Sequence, residues 1–235
     1  MRLVSATWAA TLPVAAALTG CVSTQQIAAR TRLVNARVLA SQTATTVTHV
    51  DSAVSVDRLT LIRARTGTAI VVSLTNDSSR AVTDLPIAVG VHPRTGRELY
   101  LNRSANLDYF DSHVAAIAPH GVTTWVFTTP RKVAAARPFA ALGSPQLHPS
   151  LGGGLPRIEV SPHGAAKLSL TNTSTIPQYD VPVYVVAVRR GHDVAAGRAA
   201  VSHLGTHGKT TLSVSLVGSA RGATLDAIAP PTIFS

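Results

Sequence analysis

Apolar residues stand at alternate positions through much of the chain beyond residue 54. In the stretch TAIVVSL at 68–74, Ile70, Val72 and Leu74 are two positions apart, and side chains at that spacing lie on one face of a β-strand. The same spacing recurs in five further groups: Leu85, Ile87, Val89 and Val91; Trp125 and Phe127; Leu168 and Leu170; Val181, Val183 and Val185; and Leu212 and Val214. The pattern predicts half-buried antiparallel strands and an all-β fold.

Two sequence motifs occur twice and in the same order. LTNDSSRAVTDLP at 74–86 is repeated as LTNTSTIPQYDVP at 170–182, and APHGVTTWVF at 118–127 is echoed by GTHGKTTLSV at 205–214. The chain between the two motifs is longer in the first copy, as expected of a surface loop that tolerates changes in length. The repeat therefore predicts two copies of one β-sandwich module.

Turn-forming residues recur inside the repeated motif, as three pairs: Asn76 and Asn172, Asp84 and Asp180, and Pro86 and Pro182. Asparagine tolerates left-handed backbone and hydrogen-bonds its own turn. Proline fixes its own φ and biases the preceding residue towards extended geometry. We therefore interpret these six residues as structural turn positions at the strand ends.

Proline and glycine concentrate between the two copies. The segment 129–156 holds five prolines and the run Gly152–Gly154, which opposes regular secondary structure. We predict a first module at 51–128, a linker at 129–156 and a second module at 157–235. Within the linker, PFAAL at 138–142 is compatible with a short helix.

The segment 21–50, ahead of the first module, reads as a tether. Ile27, Val34 and Val38 are spaced by seven and four, which permits an amphipathic helix with Arg30 and Arg37 turned towards water. A basic tether that ends in a threonine-rich strand fits the same residues.

Residues 1–20 have the pattern of a secretory signal peptide. Arg2 precedes an apolar stretch from Val4 to Leu18, which is shorter than the roughly 20 residues that cross a bilayer core. The tetrapeptide LTGC at 18–21 resembles the lipobox of bacterial lipoproteins. That resemblance implies cleavage between Gly20 and Cys21, a diacylglycerol on Cys21, and attachment to the extracytoplasmic face of the cell membrane. An ordinary cleaved signal with a chance cysteine, or an uncleaved apolar start, is the alternative.

Composition narrows the classes of function. Cys21 is the only cysteine of the 235-residue chain, so a disulfide or a cysteine metal site cannot form within one chain. Lysine and arginine outnumber aspartate and glutamate by 21 to 11, and aromatic residues make up 4%. The basic residues are scattered without the interleaved aromatics of a single-strand binding surface, so we expect no nucleic-acid partner. The arginine, alanine and valine richness is typical of a high-GC genome.

The repeated features follow the order strand, L-T-N-x-S, short link, D-x-P, strand, and later a G-x-T-T strand. This order resembles bacterial immunoglobulin-like extracellular modules, among them the bacterial cell-adhesion-related domain (CARDB) and the FxLYD-type sandwiches of lipoproteins. The resemblance covers 54–128 and 157–235 in outline, and implies two tandem antiparallel β-sandwiches. Neither copy has the cysteine pair or the buried strand-C tryptophan of antibody domains.

Candidate chemistry is sparse. The loop NLDYFDSH contains Asp108, Tyr109, Phe110 and Asp111, which either form a binding patch or tuck the loop onto the sandwich. The pair His203 and His207 would share a face only on a helix, and the glycines of HLGTHG predict a turn instead. No nucleophile elbow, HExxH helix or phosphate-binding loop occurs, so we predict no catalytic residues, no bound metal and no cofactor.

The sequence favours a non-catalytic, lipid-anchored envelope protein whose sandwich modules bind or scaffold an envelope protein or a wall polymer. A metal-binding or enzymatic protein that uses the histidine- and aspartate-bearing loops is one alternative. A purely structural spacer is the other.

Overall fold

The computed structural model describes residues 23–42, 47, 53–104, 107–134, 136–148, 154–164 and 166–234. These residues form helix α1 (Thr24–Gln42), a single 3-10 turn (Tyr109–Asp111) and fifteen strands: β1 Val54–Ala64, β2 Gly67–Asn76, β3 Ala81–Pro93, β4 Leu99–Tyr100, β5 His113–Ile117, β6 Val122–Thr129, β7 Ala136–Leu142, β8 Gln146–His148, β9 Ile158–His163, β10 Lys167–Asn172, β11 Gln178–Arg189, β12 His192–Leu204, β13 Lys209–Ser213, β14 Leu216–Gly218 and β15 Thr224–Ile228. The predicted all-β class is confirmed.

The described strands form antiparallel sheets, two from each copy of the repeat. In the first copy, one sheet has the order β1-β2-β6 and the other is built around β3, which pairs with β4, β5, β7 and β8. In the second copy the sheets are β9-β10-β13 and β14-β12-β11-β15. Strands β2, β3 and β6 thus correspond to β10, β11 and β13, because they carry the repeated motifs.

The two sheets of the first copy enclose one apolar core, and this core continues into the second copy. Tyr184 and Val186 of β11 and Ala196 of β12 belong to the same buried cluster as Val71 and Val126. Strand β12 contacts β1, β2 and β6, so the four sheets are stacked in four layers. The other face of β11 lines a second core between the sheets of the second copy.

The prediction of half-buried strands is wrong at the centre of the molecule. Ile70 and Val72 face the β3 sheet and are fully buried, but Val71 between them is only 1% exposed. Val71 pairs with Val126 across β2 and β6, and side chains of such a pair share a face. That face is covered by the β11–β12 sheet of the second copy, which the alternation within one strand could not reveal.

In each copy, the asparagine of the L-T-N-x-S turn forms hydrogen bonds with the second repeated motif. Asn76 is fully buried. Its side-chain Oδ1 accepts a hydrogen bond from the Ser78 backbone amide at 3.1 Å, and its side-chain Nδ2 donates to the Ala118 backbone carbonyl at 2.9 Å. In the second copy, Asn172 accepts from Ser174 at 3.0 Å and donates to the Gly205 carbonyl at 3.0 Å. Each asparagine therefore stabilises its own turn and clamps the distant histidine-glycine turn beside it.

The segment 129–156, predicted as a linker, contains two strands of the first copy. β7 and β8 both pair with β3, so the first sandwich extends past residue 128 to residue 148. PFAAL belongs to β7 and is not helical. The strands form here because Ala140 and Leu142 pack against the first core, which outweighs the disfavour that prolines bring to regular structure.

Helix α1 forms within the predicted tether, but the face that packs against the sandwiches is opposite to the predicted apolar face. Ile27, Val34 and Val38 are 45–56% exposed, whereas Leu33 and Ala36 pack against the 3-10 turn. The arginines expected in water have partners on the body, described below, and these partners hold that side of the helix inward. Among the described residues no helix is long and apolar enough to cross a membrane.

Candidate ligand cavity beneath helix α1

A cavity of about 500 Å³ lies between α1 and the first sandwich. Its walls come from α1, β3, the 3-10 turn, β5, β8 and the segment after β15, and the residues that line it are Gln25, Ala29, Arg32, Leu33, Ala36, Thr83, Asp84, Tyr109, Phe110, Ala115, Gln146, His148, Thr232 and Phe234. Ligand sites are commonly 300 to 1,000 Å³ in volume and mostly apolar with a few polar groups. The cavity fits that description in size, and its lining combines seven apolar or aromatic residues with seven polar ones.

The aromatic wall is held by the loop that precedes β5. Asp108 caps the 3-10 turn, because its Oδ1 accepts from the Phe110 amide at 3.0 Å while the Asp108 amide donates to Asp111 Oδ2 at 3.2 Å. The indole of Trp125 donates to the Phe110 carbonyl at 3.1 Å. Tyr109 and Phe110 are consequently buried, at 6% and 2% exposure, and form a rigid side of the cavity.

Asp84 is the carboxylate in the cavity wall. Its Oδ2 accepts from Gln146 Nε2 at 3.0 Å, while Oδ1 is buried with no hydrogen-bond donor among the described residues. The backbone at Asp84 is left-handed, with φ at 52°, which fixes the direction of its short side chain. Burial raises the pKa of this carboxyl to about 6.

A charged cluster beside the cavity attaches α1 to both copies of the repeat. Arg37 of α1 lies 2.8 Å from Asp108 and 2.7 Å from Asp180. Arg198 of β12 lies 3.1 Å from Asp108 and also pairs with Asp111. The Arg30 guanidinium stacks 4.4 Å from the centre of the Tyr179 ring. The loop of the first copy, the β11–β12 hairpin of the second and the helix therefore share one network.

Electrostatics keep the cluster ionised. Burial raises the pKa of Asp108, but the attraction of Arg198, the Phe110 amide and Arg37 outweighs it, so the pKa of Asp108 is lowered overall. Burial lowers the pKa of Arg198, yet an arginine stays protonated at any physiological pH. Asp108 and Arg198 are therefore charged partners, whereas Asp84 is a carboxylate with little compensation.

Asp84 and Asp180 are equivalent residues in different surroundings. Both have left-handed backbone, with φ at 52° and 50°, and both stand two positions before the proline of the repeated motif. Asp180 pairs with the guanidinium of Arg37, but Asp84 has no basic partner within 4.0 Å in the described part of the chain. The helix therefore neutralises the second-copy aspartate and leaves the first-copy aspartate at the cavity.

The predicted site residues are distributed as follows. Asp108 and Asp111 enter the charged cluster, Tyr109 and Phe110 line the cavity, and Gly20 and Cys21 lie outside the described residues. Asn76 and Asn172 lie at the ends of β2 and β10, as predicted for turn positions. Asp84 and Pro86 lie within β3, and Asp180 and Pro182 within β11, and not at turns, because strand pairing continues on both sides of each left-handed aspartate. The sequence predicts only a turn role for Asp84, not a place in a cavity wall. It also does not predict that Arg37 and Arg198 join the charged cluster, because neither arginine belongs to a motif.

Four histidines, His113, His120, His203 and His207, lie in turns or near strand ends. His120 and His207 are equivalent left-handed residues, with φ at 51° in both. His203 stacks on Tyr179 at 4.8 Å and His113 on Tyr109 at 4.2 Å. Burial lowers the pKa of His113 to about 4, so this ring is neutral near pH 7. In the described part of the chain, no three histidine or acidic side chains converge to hold a metal ion.

Comparison with known proteins gives no family assignment. No protein-family model matches the chain, and no curated protein shows significant similarity to it.

Proposed function

We propose that this protein is a non-catalytic, lipid-anchored lipoprotein of the cell envelope, and that it binds a ligand in the cavity beneath α1. The observation that carries the proposal is the position of this cavity, which α1 closes on one side shortly after the lipobox-like LTGC at 18–21. The stacked sandwiches provide the rigid scaffold. An envelope protein or wall polymer remains the proposed partner of the modules.

The position of α1 supports a body held close to the membrane. Thr24 begins the helix three residues after Cys21, and three extended residues span at most about 10 Å. Arg37 and Leu33 then attach the helix to the sandwiches. An acylated Cys21 would therefore hold the cavity near the lipid surface, because few residues separate Cys21 from α1 and because α1 is attached to the sandwiches.

The lining residues support binding more than catalysis. Asp84 is the single carboxyl group among them, whereas hydrolysis by paired carboxylates requires two at a defined separation. The hydroxyl residues Thr83 and Thr232 line the same cavity. Activation of a hydroxyl nucleophile requires a hydrogen bond to a base, and the Thr232 hydroxyl instead donates to the Tyr179 carbonyl. A cavity of this size with both apolar walls and fixed polar groups is suited to holding a small molecule.

The binding role can be tested with 2-phenylethanol as a neutral probe and the mature protein in zwitterionic lipid nanodiscs. Ala29 lines the cavity, whereas its neighbour Ala28 is exposed. We expect saturable, weak binding to the native protein, a loss of at least about tenfold in Ala29→Phe because the ring fills the cavity, and no change in Ala28→Phe. Calorimetric titration against empty nanodiscs measures it. Equal binding by native protein and empty nanodiscs would rule out the binding role.

A further inference from the structure

The chemistry of the cavity defines a class of ligand. We propose that the cavity selects a small organic cation, a protonated amine on an apolar or aromatic body, with Asp84 as its counter-ion. This inference rests on the proposed binding function and adds the charge and the polarity of the ligand.

The apolar body is inferred from the walls. Leu33, Tyr109, Phe110 and Phe234 line the cavity from three different elements. Tyr109 and Phe110 form an edge-to-face pair with ring centres 5.1 Å apart, so their positions are mutually fixed. Aromatic walls bind apolar groups through area burial and also attract cations to their ring faces. An apolar body with a positive end matches both properties.

The positive charge is inferred from Asp84. This carboxyl group has one donor, Gln146, and a second oxygen that is buried without one in the described part of the chain. A carboxylate removed from water is costly unless it is paired with a cation. Because Asp84 lines the cavity, a ligand ammonium group there would provide the missing charge and a hydrogen-bond donor for the carboxyl group.

The repeat indicates what is missing at Asp84. Its equivalent, Asp180, has the same left-handed backbone and is paired with the Arg37 guanidinium at 2.7 Å. In the first copy the same position faces the cavity without such a partner. The ligand cation would therefore occupy, relative to Asp84, the role that Arg37 has relative to Asp180.

Other polar groups around the cavity limit the charge of the ligand. Arg32 from α1, His148 from β8 and Tyr109 line the walls with Asp84. Arg32 is exposed, so water and salt screen its repulsion of a cation near Asp84. A second positive charge on the ligand would have no acidic partner among the lining residues, and a single ammonium group fits best.

The test compares 2-phenylethylamine with 2-phenylethanol, which share the same apolar body but differ in charge. We expect the native protein in zwitterionic nanodiscs to bind the amine at least about tenfold more tightly near neutral pH. Asp84→Asn keeps the left-handed backbone and an acceptor for Gln146, and should abolish this preference, so that the amine and the alcohol bind the variant with equal affinity. The matched variant Asp180→Asn should retain the preference, because Asp180 does not line the cavity.

The outcomes separate the two proposals. If the alcohol binds but the amine is not preferred, or if Asp84→Asn keeps the preference, then selection of a cation is wrong and the binding role stands. If neither compound binds the native protein, both the binding role and the ligand class are overturned.

Discussion

At the scale of single residues, the repeated motif combines two different tasks. Asn76 and Asn172 are buried clamps whose hydrogen bonds are the same in both copies. Asp84 and Asp180 share a backbone conformation but differ in their neighbours. The two copies thus share the structural asparagine, whereas the pairing of Arg37 of α1 with Asp180 makes the two aspartates unequal.

The raised pKa of Asp84 predicts a stability that depends on pH. Because the folded-state pKa of about 6 lies above the ordinary value of 3.8, the carboxylate destabilises the fold, and stability is lost as pH rises from about 4 through 6. The full shift corresponds to at most about 3 kcal/mol. We expect about 1 to 2 kcal/mol, because the side chain is only partly buried and solvent screens it.

Asp84→Asn should therefore unfold with a higher free energy than the native protein near pH 7.5, by about 1 to 2 kcal/mol, and the difference should vanish near pH 3.5. Urea denaturation at both pH values measures it. Asp180→Asn is the control, since it removes the ion pair with Arg37 and should give no gain. A variant at Asp84 that is less stable than the native protein near pH 7.5 would contradict the prediction.

Residue chemistry could be predicted from the sequence only where it is local. The turn tendency of Asn76 follows from its own side chain and its neighbours. The bond from Asn76 to Ala118 depends on which strands become adjacent, and local sequence does not determine that. The hydrogen bond of Asp84 with Gln146 and its place in the cavity wall likewise depend on β8 and α1, which are distant in the chain and carry no motif.

At the scale of elements, α1 shows how an apolar pattern can mislead. The spacing of Ile27, Val34 and Val38 does define one helix face, but that face is exposed. The opposite side has Leu33 for packing and Arg37 for two carboxylates, and together these interactions outweigh burial of the three branched side chains. Propensity and periodicity predict that a helix can form, whereas its orientation depends on partners elsewhere.

The edge strands β7 and β8 illustrate the same limit for sheets. Prolines and glycines are typical of connectors, and the segment 129–156 is rich in both. Edge strands tolerate proline, however, because one side of the strand needs no ladder hydrogen bonds. Pairing with the long β3 strand converts part of this segment into sheet, an effect that requires knowledge of the whole sandwich.

At the scale of the whole molecule, the two copies are joined by more than the chain. Arg58 of β1 lies 3.4 Å from the buried Asp193 of β12, and Arg198 pairs with Asp108 across the same boundary. The alternation along β11 allots Tyr184 and Val186 to the shared core and Val185 to the second. The alternation of apolar residues predicts the sandwiches, but it does not predict that one sheet of each sandwich is buried on both faces.

The second copy retains a core of its own, and we therefore expect a fragment from about 155 to 235 to fold as β structure. Leu168 and Leu170 of β10 and Val183 of β11 come from the two different sheets of this core, and all three are fully buried. The fragment would also expose the apolar face that includes Val186 and Val217, and exposed patches of this kind promote association.

Circular dichroism and thermal unfolding should show a cooperative β fragment, and sedimentation should show self-association. Replacing Val186 and Val217 with threonine should reduce the association and preserve the β spectrum. If the fragment has a random-coil spectrum while the mature chain is folded, the copies form a single cooperative unit.

The last prediction concerns the proposed attachment of the protein to the membrane. Beyond Gly20 the chain has 20 basic and 11 acidic residues, and each basic group near an anionic surface contributes about 1 kcal/mol, within a Debye length of about 8 Å. Arg37 and Arg198 are paired within the protein and Arg30 stacks on Tyr179, so these three are poorly placed to bind lipid headgroups. Each methylene of an acyl chain buried in the bilayer contributes about 0.8 kcal/mol, so the two chains of the proposed diacylglycerol on Cys21 would exceed the electrostatic contribution.

We therefore expect native membranes to retain the protein in about 1 M NaCl, where the Debye length is about 3 Å. Cys21→Ala should leave an unprocessed precursor or release the protein in soluble form, which mass spectrometry and detergent partitioning would show. The lipid-free chain from residue 22 should bind anionic vesicles weakly and dissociate with salt. Tight, salt-resistant binding by that chain would instead identify a membrane-binding surface on the body, and the exposed Ile27, Val34 and Val38 face of α1 would be the first to mutate, because burial of apolar area is insensitive to screening by salt.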